Sequence, residues 1–154
     1  MSLASRRIGS VLTALLLLGS GSAEPYLVVS DEEGNILLEL PLGDEPAWTV
    51  AWNHSVTGNL VQDHYLFEGG RMLLVASRAP TFDAGLGHIM GRGRLESDGE
   101  GGHLIVGIDE PVTGNSYLLR VGGPKVDHRI VHAGASHSLS AMAAGRRLRI
   151  GIRE

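Results

Sequence analysis

Apolar and polar side chains alternate in many short segments of the chain. The clearest segment is Arg147–Arg153, where three aliphatic residues fall on one side and three arginines on the other. A period of two is that of a β-strand with one buried face. Similar patterns predict strands over residues 26–29, 36–40, 48–56, 61–68, 71–77, 103–108, 117–121 and 126–131. Only residues 138–144 have helical propensity, enough for a turn or two.

This pattern predicts an all-β domain, a single antiparallel β-sandwich or small barrel of about eight or nine strands. Residues 31–35 and the pair Gly69-Gly70 lie between predicted strands and favour tight hairpin turns. The 22 glycines among 154 residues, about twice the usual share, agree with many short strands joined by turns.

The segment 1–23 has the order of regions typical of a secretory signal peptide. Arg6 and Arg7 precede an apolar run over residues 8–18, and small residues follow up to Ala23. We therefore expect a signal peptide at 1–23, a single β-rich domain at 24–154, and a periplasmic or otherwise extracytoplasmic location. An uncleaved N-terminal membrane anchor is the alternative, although the apolar run is short for a membrane span.

Composition narrows the function classes. The chain has no cysteine, which excludes disulfides, thiol catalysis, cysteine-based zinc sites and a lipid-modified cysteine. The net charge is -4, and loss of Arg6 and Arg7 with the signal would make it -6. An acidic domain argues against a nucleic-acid partner.

The second predicted hairpin suggests a polar pair. If residues 57–60 form its loop, Trp52 lies opposite Tyr65 and His54 lies opposite Asp63 on the same face. Opposed side chains in a sheet are close enough to hydrogen bond. The pair could fix the hairpin register, bind a ligand, or form half of a metal or acid–base site. His54, Asp63 and His88 are the candidates for a divalent metal site, and no other cofactor is predicted.

The glycine-rich segment 81–94 is a second candidate. Its spacing fits neither a phosphate-binding loop nor a dinucleotide fingerprint. It could cap one end of the domain, or it could bind an anion through backbone amides and arginine. The candidate binding-loop residues are Phe82, Asp83, Gly85, Leu86, Gly87, His88 and Arg92.

Three stretches resemble the bacterial and archaeal family catalogued as domain of unknown function 1850. They are Trp52-Asn53-His54-Ser55-Val56, then Asp63 followed by Tyr65, and then residues 82–86. Asp63 stands where the family usually has glutamate, and Asp83 and Gly87 stand where it often has glycine and proline. Members are short exported or membrane-associated proteins, often encoded beside permeases of TRAP-type solute transporters.

The resemblance implies a non-enzymatic extracytoplasmic accessory or binding domain that supports a TRAP-type transporter. The implied partners are the membrane permease or its solute-binding protein, together with a small-molecule ligand of unknown identity. The alternative is a periplasmic metal-binding protein or metal-dependent hydrolase that uses His54 and Asp63.

Overall fold

The two sheets of this protein pack face to face as a sandwich. The computed structural model describes residues 24–81 and 91–154, which form eleven strands, one 3₁₀ turn and one short α-helix. The elements are β1 Tyr26–Ser30, β2 Ile36–Pro41, β3 Ala47–Asn53, β4 Leu60–Glu68, β5 Arg71–Ala79, β6 Arg94–Ser97, β7 His103–Pro111, the 3₁₀ turn Thr113–Asn115, β8 Ser116–Arg120, β9 Arg129–His132, β10 Ala135–Ser138, α1 Leu139–Ala143 and β11 Arg147–Arg153. In this part of the chain, no helix is both long and apolar enough to cross a membrane.

One sheet has four strands in the order β2-β1-β11-β8, and the other has seven in the order β10-β9-β3-β4-β5-β7-β6. Neighbouring strands of the described residues pair antiparallel, and the sheets do not close into a barrel. The core lies between them, and both sheets contribute to it. Its fully buried members include Leu27, Val29, Met72, Ile130, Leu148 and Ile150. The all-β sandwich predicted from the sequence is confirmed.

The first hairpin follows the predicted pattern. The turn between β1 and β2 is closed by the Asp31 carboxylate, which accepts hydrogen bonds from the amides of Glu33 and Asn35. These bonds and the guanidinium of Arg146 hold the pKa of Asp31 below its usual range, the side chain of Asn35 making the largest contribution. Two strands, β6 and β10, are absent from the sequence prediction because each has four residues and too few apolar positions to show a period.

The predicted register between β3 and β4 is wrong by four positions. Trp48, not Trp52, lies opposite Tyr65, and Val50 lies opposite Asp63. The connection is six residues long, because His54 closes its own turn: its amide donates to the carbonyl of Asn59 and its carbonyl accepts from the amide of Gly58. Because four is an even shift, the side chains keep their predicted faces.

The shortened strand also changes the position of Val56. This side chain was expected on the buried face with Trp48, but it lies in the connection and is 86% exposed. Between β4 and β5, the predicted pairs of Phe67 with Met72 and Tyr65 with Leu74 are confirmed. A bulge then places Asp63 opposite Ser77 instead of Ala76.

A buried polar network ties α1 to the large sheet. The hydroxyl of Ser140 accepts from the amide of His128 at 2.9 Å and donates to the carbonyl of Gly122 at 2.8 Å. Nδ1 of His128 accepts from the amide of Gly122, so its proton is on Nε2. Burial lowers the pKa of His128, which favours the neutral ring. The network fixes the position of the segment between β8 and β9.

Replacing Ser140 with alanine is expected to lower the free energy of unfolding by about 1–3 kcal/mol. The substitution leaves the buried amide of His128 and the carbonyl of Gly122 without their partner. Urea denaturation followed by circular dichroism measures the change. The control is Ser136→Ala on the exposed strand β10, where a change within about 0.5 kcal/mol is expected. Equal losses of stability in Ser140→Ala and Ser136→Ala would contradict a stabilising role of the buried network.

Candidate binding site

Three aromatic rings form a stack that crosses the core. Trp48 lies parallel to Tyr65 with ring centroids 5.6 Å apart, and Tyr65 lies parallel to Tyr117 at 5.4 Å. Trp48 and Tyr65 belong to adjacent strands of the large sheet, whereas Tyr117 belongs to β8 at the edge of the small sheet. The stack therefore joins the two sheets at the side where the small sheet ends.

A cleft opens beside this stack. It has a volume of about 370 Å³, within the usual range for small-molecule sites. Its lining combines the two tyrosines with apolar side chains and one ion pair. The lining residues are Tyr65, Leu74, Arg92, Glu110, Pro111, Val112, Thr113 and Tyr117.

Asp63 lies on the same face of β4 as Tyr65, two residues away. Its carboxylate accepts a hydrogen bond from the Ser77 hydroxyl at 2.7 Å. Burial raises the pKa of Asp63, and the opposing effects of Ser77, Arg92 and His64 do not offset it. A carboxyl group is thus held in the sandwich at a cost in solvation, which is a common property of functional sites.

The two tyrosine hydroxyls are also perturbed. Burial raises the pKa of Tyr65 to about 12, and the nearby Asp63 adds to the effect. Burial likewise raises the pKa of Tyr117, well above its usual value. The Tyr117 hydroxyl is fully buried and interacts with the Tyr65 hydroxyl, although the two do not meet strict hydrogen-bonding geometry.

An ion pair lies at the rim of the cleft. Nε of Arg92 donates to the Glu110 carboxylate at 2.7 Å. The next residue, Gly93, has a φ of +68°, and a Cβ there would lie 2.7 Å from the carbonyl oxygen of Val106. Glycine is therefore required at this position, where the chain turns from Arg92 into β6.

The proposed His54–Asp63 cross-strand pair is wrong. His54 lies beyond the end of β3, because the chain leaves the ladder at Asn53, whose amide donates to the carbonyl of Val126. Nδ1 of His54 lies 3.2 Å from the Thr57 hydroxyl within the connection. Asp63 instead lies opposite Val50 on one side and Ser77 on the other.

Only one of the predicted binding-loop residues, Arg92, belongs to the described part of the chain. Phe82, Asp83, Gly85, Leu86, Gly87 and His88 lie outside the described residues, and Arg92 is at the rim of the cleft. The loop begins next to the β3–β4 connection, because Nδ2 of Asn59 donates to the Thr81 hydroxyl. Over residues 24–81 and 91–154, no three histidine or acidic side chains are grouped so that they could hold a metal ion.

Sequence reasoning missed Tyr117, Glu110 and Ser77 as site residues. Tyr117 lies in a predicted strand, but an alternating apolar and polar pattern does not distinguish a tyrosine in the core from one beside a cleft. Glu110 lies past the end of the predicted strand at 108, and Ser77 comes to Asp63 only through the bulge in β5. None of the three lies in a recognisable sequence motif.

A larger cleft, of about 490 Å³, lies elsewhere. It lies along the outer strands β2 and β10 and is lined by residues such as Leu40, Leu42 and His132. The Nε2 atom of His132 is 2.9 Å from the carbonyl oxygen of Glu45, so this buried histidine is satisfied within the protein. The smaller cleft is the better candidate because its lining includes two tyrosines and an ion pair, and because Asp63, whose pKa is raised by burial, is two residues from Tyr65 on the same face of β4.

Comparison with known families identifies the chain. The family described as Domain of unknown function (DUF1850) matches residues 48–139. The chain belongs to this family. No curated protein and no solved structure matches the chain.

The DUF1850 match covers β3 to the start of α1 and leaves out β1, β2 and β11. It thus includes all seven strands of the large sheet, apart from Ala47 at the start of β3, but only β8 from the small sheet. Each residue that lines the 370 Å³ cleft falls within it, and so does Asp63. The DUF1850 region therefore contains every described residue of the candidate site.

Proposed function

We propose that this DUF1850 protein is a non-catalytic, extracytoplasmic binding domain that takes a small molecule in the Tyr65–Tyr117 cleft. We further propose that it supports solute uptake by a TRAP-type transporter, through its permease or solute-binding protein. The first part is supported by the geometry of the cleft. The second is supported by the genomic neighbourhood that the family resemblance implies and by the signal-like segment 1–23.

The observation that carries the binding proposal is the cleft beside the aromatic stack. It has a volume of about 370 Å³, and its lining combines Tyr65, Tyr117 and an apolar wall with the Arg92–Glu110 ion pair. Small-molecule sites are typically concave and mostly apolar, with a few polar groups that fix the orientation of the ligand.

The alternative function, a metal-binding protein or a metal-dependent hydrolase, uses His54 and Asp63 as a pair across a hairpin. The observed register places Val50 opposite Asp63. Asp63 accepts from the Ser77 hydroxyl, which orients the carboxylate without providing a second acid–base group. This arrangement favours the binding role over the hydrolytic one.

Native mass spectrometry of the protein purified from its own host tests the binding proposal. We expect the wild type to retain a small molecule, and Thr113→Trp at the rim to lose it because the indole fills the cleft. The control is Ser136→Trp on exposed β10, which should retain the molecule. Equal occupancy of Thr113→Trp and the wild type, or an empty wild type, would refute the cleft as the ligand site.

The transport proposal has a separate test. Deleting the gene is expected to reduce uptake of the solute carried by the neighbouring permease, and the wild-type gene should restore it. Co-purification of the permease or solute-binding protein with the tagged domain would identify the partner. Unchanged uptake in the deletion strain would contradict the accessory role and leave the binding site itself unaffected.

A further inference from the structure

We propose that the outer face of the small sheet is a docking surface for an acidic segment of a partner protein. The surface is an arginine patch made of Arg120 and Leu118 on β8 and of Arg147 and Arg149 on β11. It faces away from the core, whereas the cleft beside the aromatic stack lies on the inner side of this sheet. The proposal therefore goes beyond the function of the cleft and does not depend on a ligand there.

Strand pairing brings the three arginines together. Arg120 lies directly opposite Arg147, and Arg149 follows Arg147 on the same face of β11. Opposed Cβ atoms in an antiparallel pair lie about 4.5–5.5 Å apart, and diagonal ones about 7–8 Å. Leu118 lies opposite Arg149. The four side chains are exposed, whereas Leu148 between the two β11 arginines is fully buried, so the patch faces the solvent.

The positive charge of the patch is poorly balanced. In the described part of the chain, the Arg120 side chain has neither an ion pair nor a hydrogen bond, and Arg149 donates to the Ser116 hydroxyl at 3.2 Å without an ion pair. Arg147 has one acidic neighbour, Glu32, at 3.9 Å, which is too far for a hydrogen bond. Like charges directly opposite each other destabilise a sheet, so stability does not explain the pairing of Arg120 with Arg147.

The arginines at the two ends of β11 are paired. Arg153 makes two hydrogen bonds to the Glu39 carboxylate, at 2.9 and 2.6 Å. Arg146, just before β11, contacts Asp31 at 3.3 Å and Glu33 at 2.8 Å. The patch between them therefore keeps three positive charges against one distant carboxylate. In a chain of net charge -4, such a region is complementary to an acidic partner.

The composition of the patch favours a protein segment as this partner. Leu118 is 53% exposed and lies beside two of the arginines. Arginines around an apolar residue are typical of protein–protein interfaces. Glu32 and Arg149 line a hollow of about 230 Å³ beside Leu118, where a side chain of the partner could insert. Acidic residues on either side of that side chain would contact the guanidinium groups, which bind carboxylates through two parallel hydrogen bonds.

The margins of the patch disfavour a membrane surface. Glu32, Glu33 and Glu39 are exposed on the turn and the strand beside it. A flat layer of anionic lipid headgroups would meet these carboxylates as well as the arginines, whereas a protein segment can contact the arginines alone. The acidic charge of the whole chain disfavours nucleic acid for the same reason.

Fluorescence anisotropy with three labelled nonapeptides tests the proposal. The first peptide has glutamates on both sides of a central leucine, the second has glutamines in place of the glutamates, and the third has glycine in place of the leucine. We expect the first peptide to bind the wild-type protein at least about tenfold more tightly than the second, because several exposed charge pairs contribute a factor of about two to five each. The third should bind less tightly than the first, and Leu118→Ser should remove this difference.

Two matched arginine variants decide where the first peptide binds. Arg120→Gln should weaken its binding by about two- to fivefold. Arg71→Gln removes the same charge from an exposed arginine of the large sheet that has no ion pair in the described part of the chain, and it should leave the binding unchanged. Circular dichroism checks that both variants are folded.

Equal effects of Arg120→Gln and Arg71→Gln, or equal affinities for the glutamate and glutamine peptides, would overturn the proposal. Binding of the protein to phosphatidylglycerol vesicles but not to the first peptide would also overturn it and would assign the patch to a membrane. Thr113→Trp in the cleft should leave the affinity for the first peptide unchanged. The failure of the cleft as a ligand site and the failure of the arginine patch are therefore separate results.

Discussion

Replacing Trp48 with alanine is expected to lower the free energy of unfolding by about 3–5 kcal/mol, the usual cost of removing a large aromatic side chain from a core. Trp48 is only 3% exposed and packs in parallel against Tyr65. Its removal leaves a cavity under the ring that forms one wall of the cleft. We therefore expect ligand binding to weaken together with stability, as measured by urea denaturation and by titration of the folded variant.

Trp48→Phe is the matched variant for this prediction. Phenylalanine keeps an aromatic ring against Tyr65 and removes the indole N–H, which has no hydrogen-bond partner among the described residues. We expect a smaller loss, about 1–2 kcal/mol, because a smaller cavity remains and an unsatisfied donor is gone. If Trp48→Phe loses as much stability as Trp48→Ala, an aromatic ring stacked on Tyr65 contributes little to the stability of the protein.

The second large effect concerns two aspartates with opposite environments. Asp63→Asn is expected to raise the free energy of unfolding at neutral pH by about 0.5–2 kcal/mol. Burial penalises the ionised Asp63, and asparagine can still accept the Ser77 hydrogen bond. Asp31→Asn should instead destabilise the protein, because the Asp31 carboxylate is favoured by its hydrogen bonds and by Arg146. Thermal unfolding of both variants measures whether each substitution stabilises or destabilises the protein.

The pH dependence of stability checks the same argument. The folded-state pKa of Asp63 is raised, so between the unfolded value and this raised value the native state binds more protons than the unfolded state. The stability contributed by Asp63 is full below the unfolded pKa, near 3.8, and is lost as the pH rises through the folded pKa. The advantage of Asp63→Asn over the wild type should therefore grow with pH through this window and then stay constant. An advantage that shrinks with pH would contradict burial as the dominant effect.

Much of the fold could be predicted from short-range patterns. The alternation in Arg147–Arg153 and the turn residues 31–35 each depend on neighbours in the sequence, and β11 and the first hairpin lie where these patterns put them. Strands β6 and β10 could not be predicted this way. They are held by pairing with β7 and β9, and not by an apolar period of their own.

Only part of the candidate site could be predicted from the sequence. Asp63 was identified from its position on a buried face, and Arg92 from the glycine-rich segment. The partner assigned to Asp63 was wrong, because the register depended on a loop length that sequence spacing does not fix. The six-residue connection is stabilised by the His54 backbone and by contacts of Asn53 with Val126, a residue more than seventy positions away.

The sequence by itself determined nine of the eleven described strands, the faces of the side chains within them, and the family. Faces follow from a period of two, and they survive a register error of four residues because four is even. Only the tertiary structure decided that Ser77 contacts Asp63, that Tyr117 from the small sheet stacks on Tyr65 from the large one, and that a cleft opens beside them. These contacts join residues far apart in the chain, and the packing of two sheets, not local propensity, brings them together.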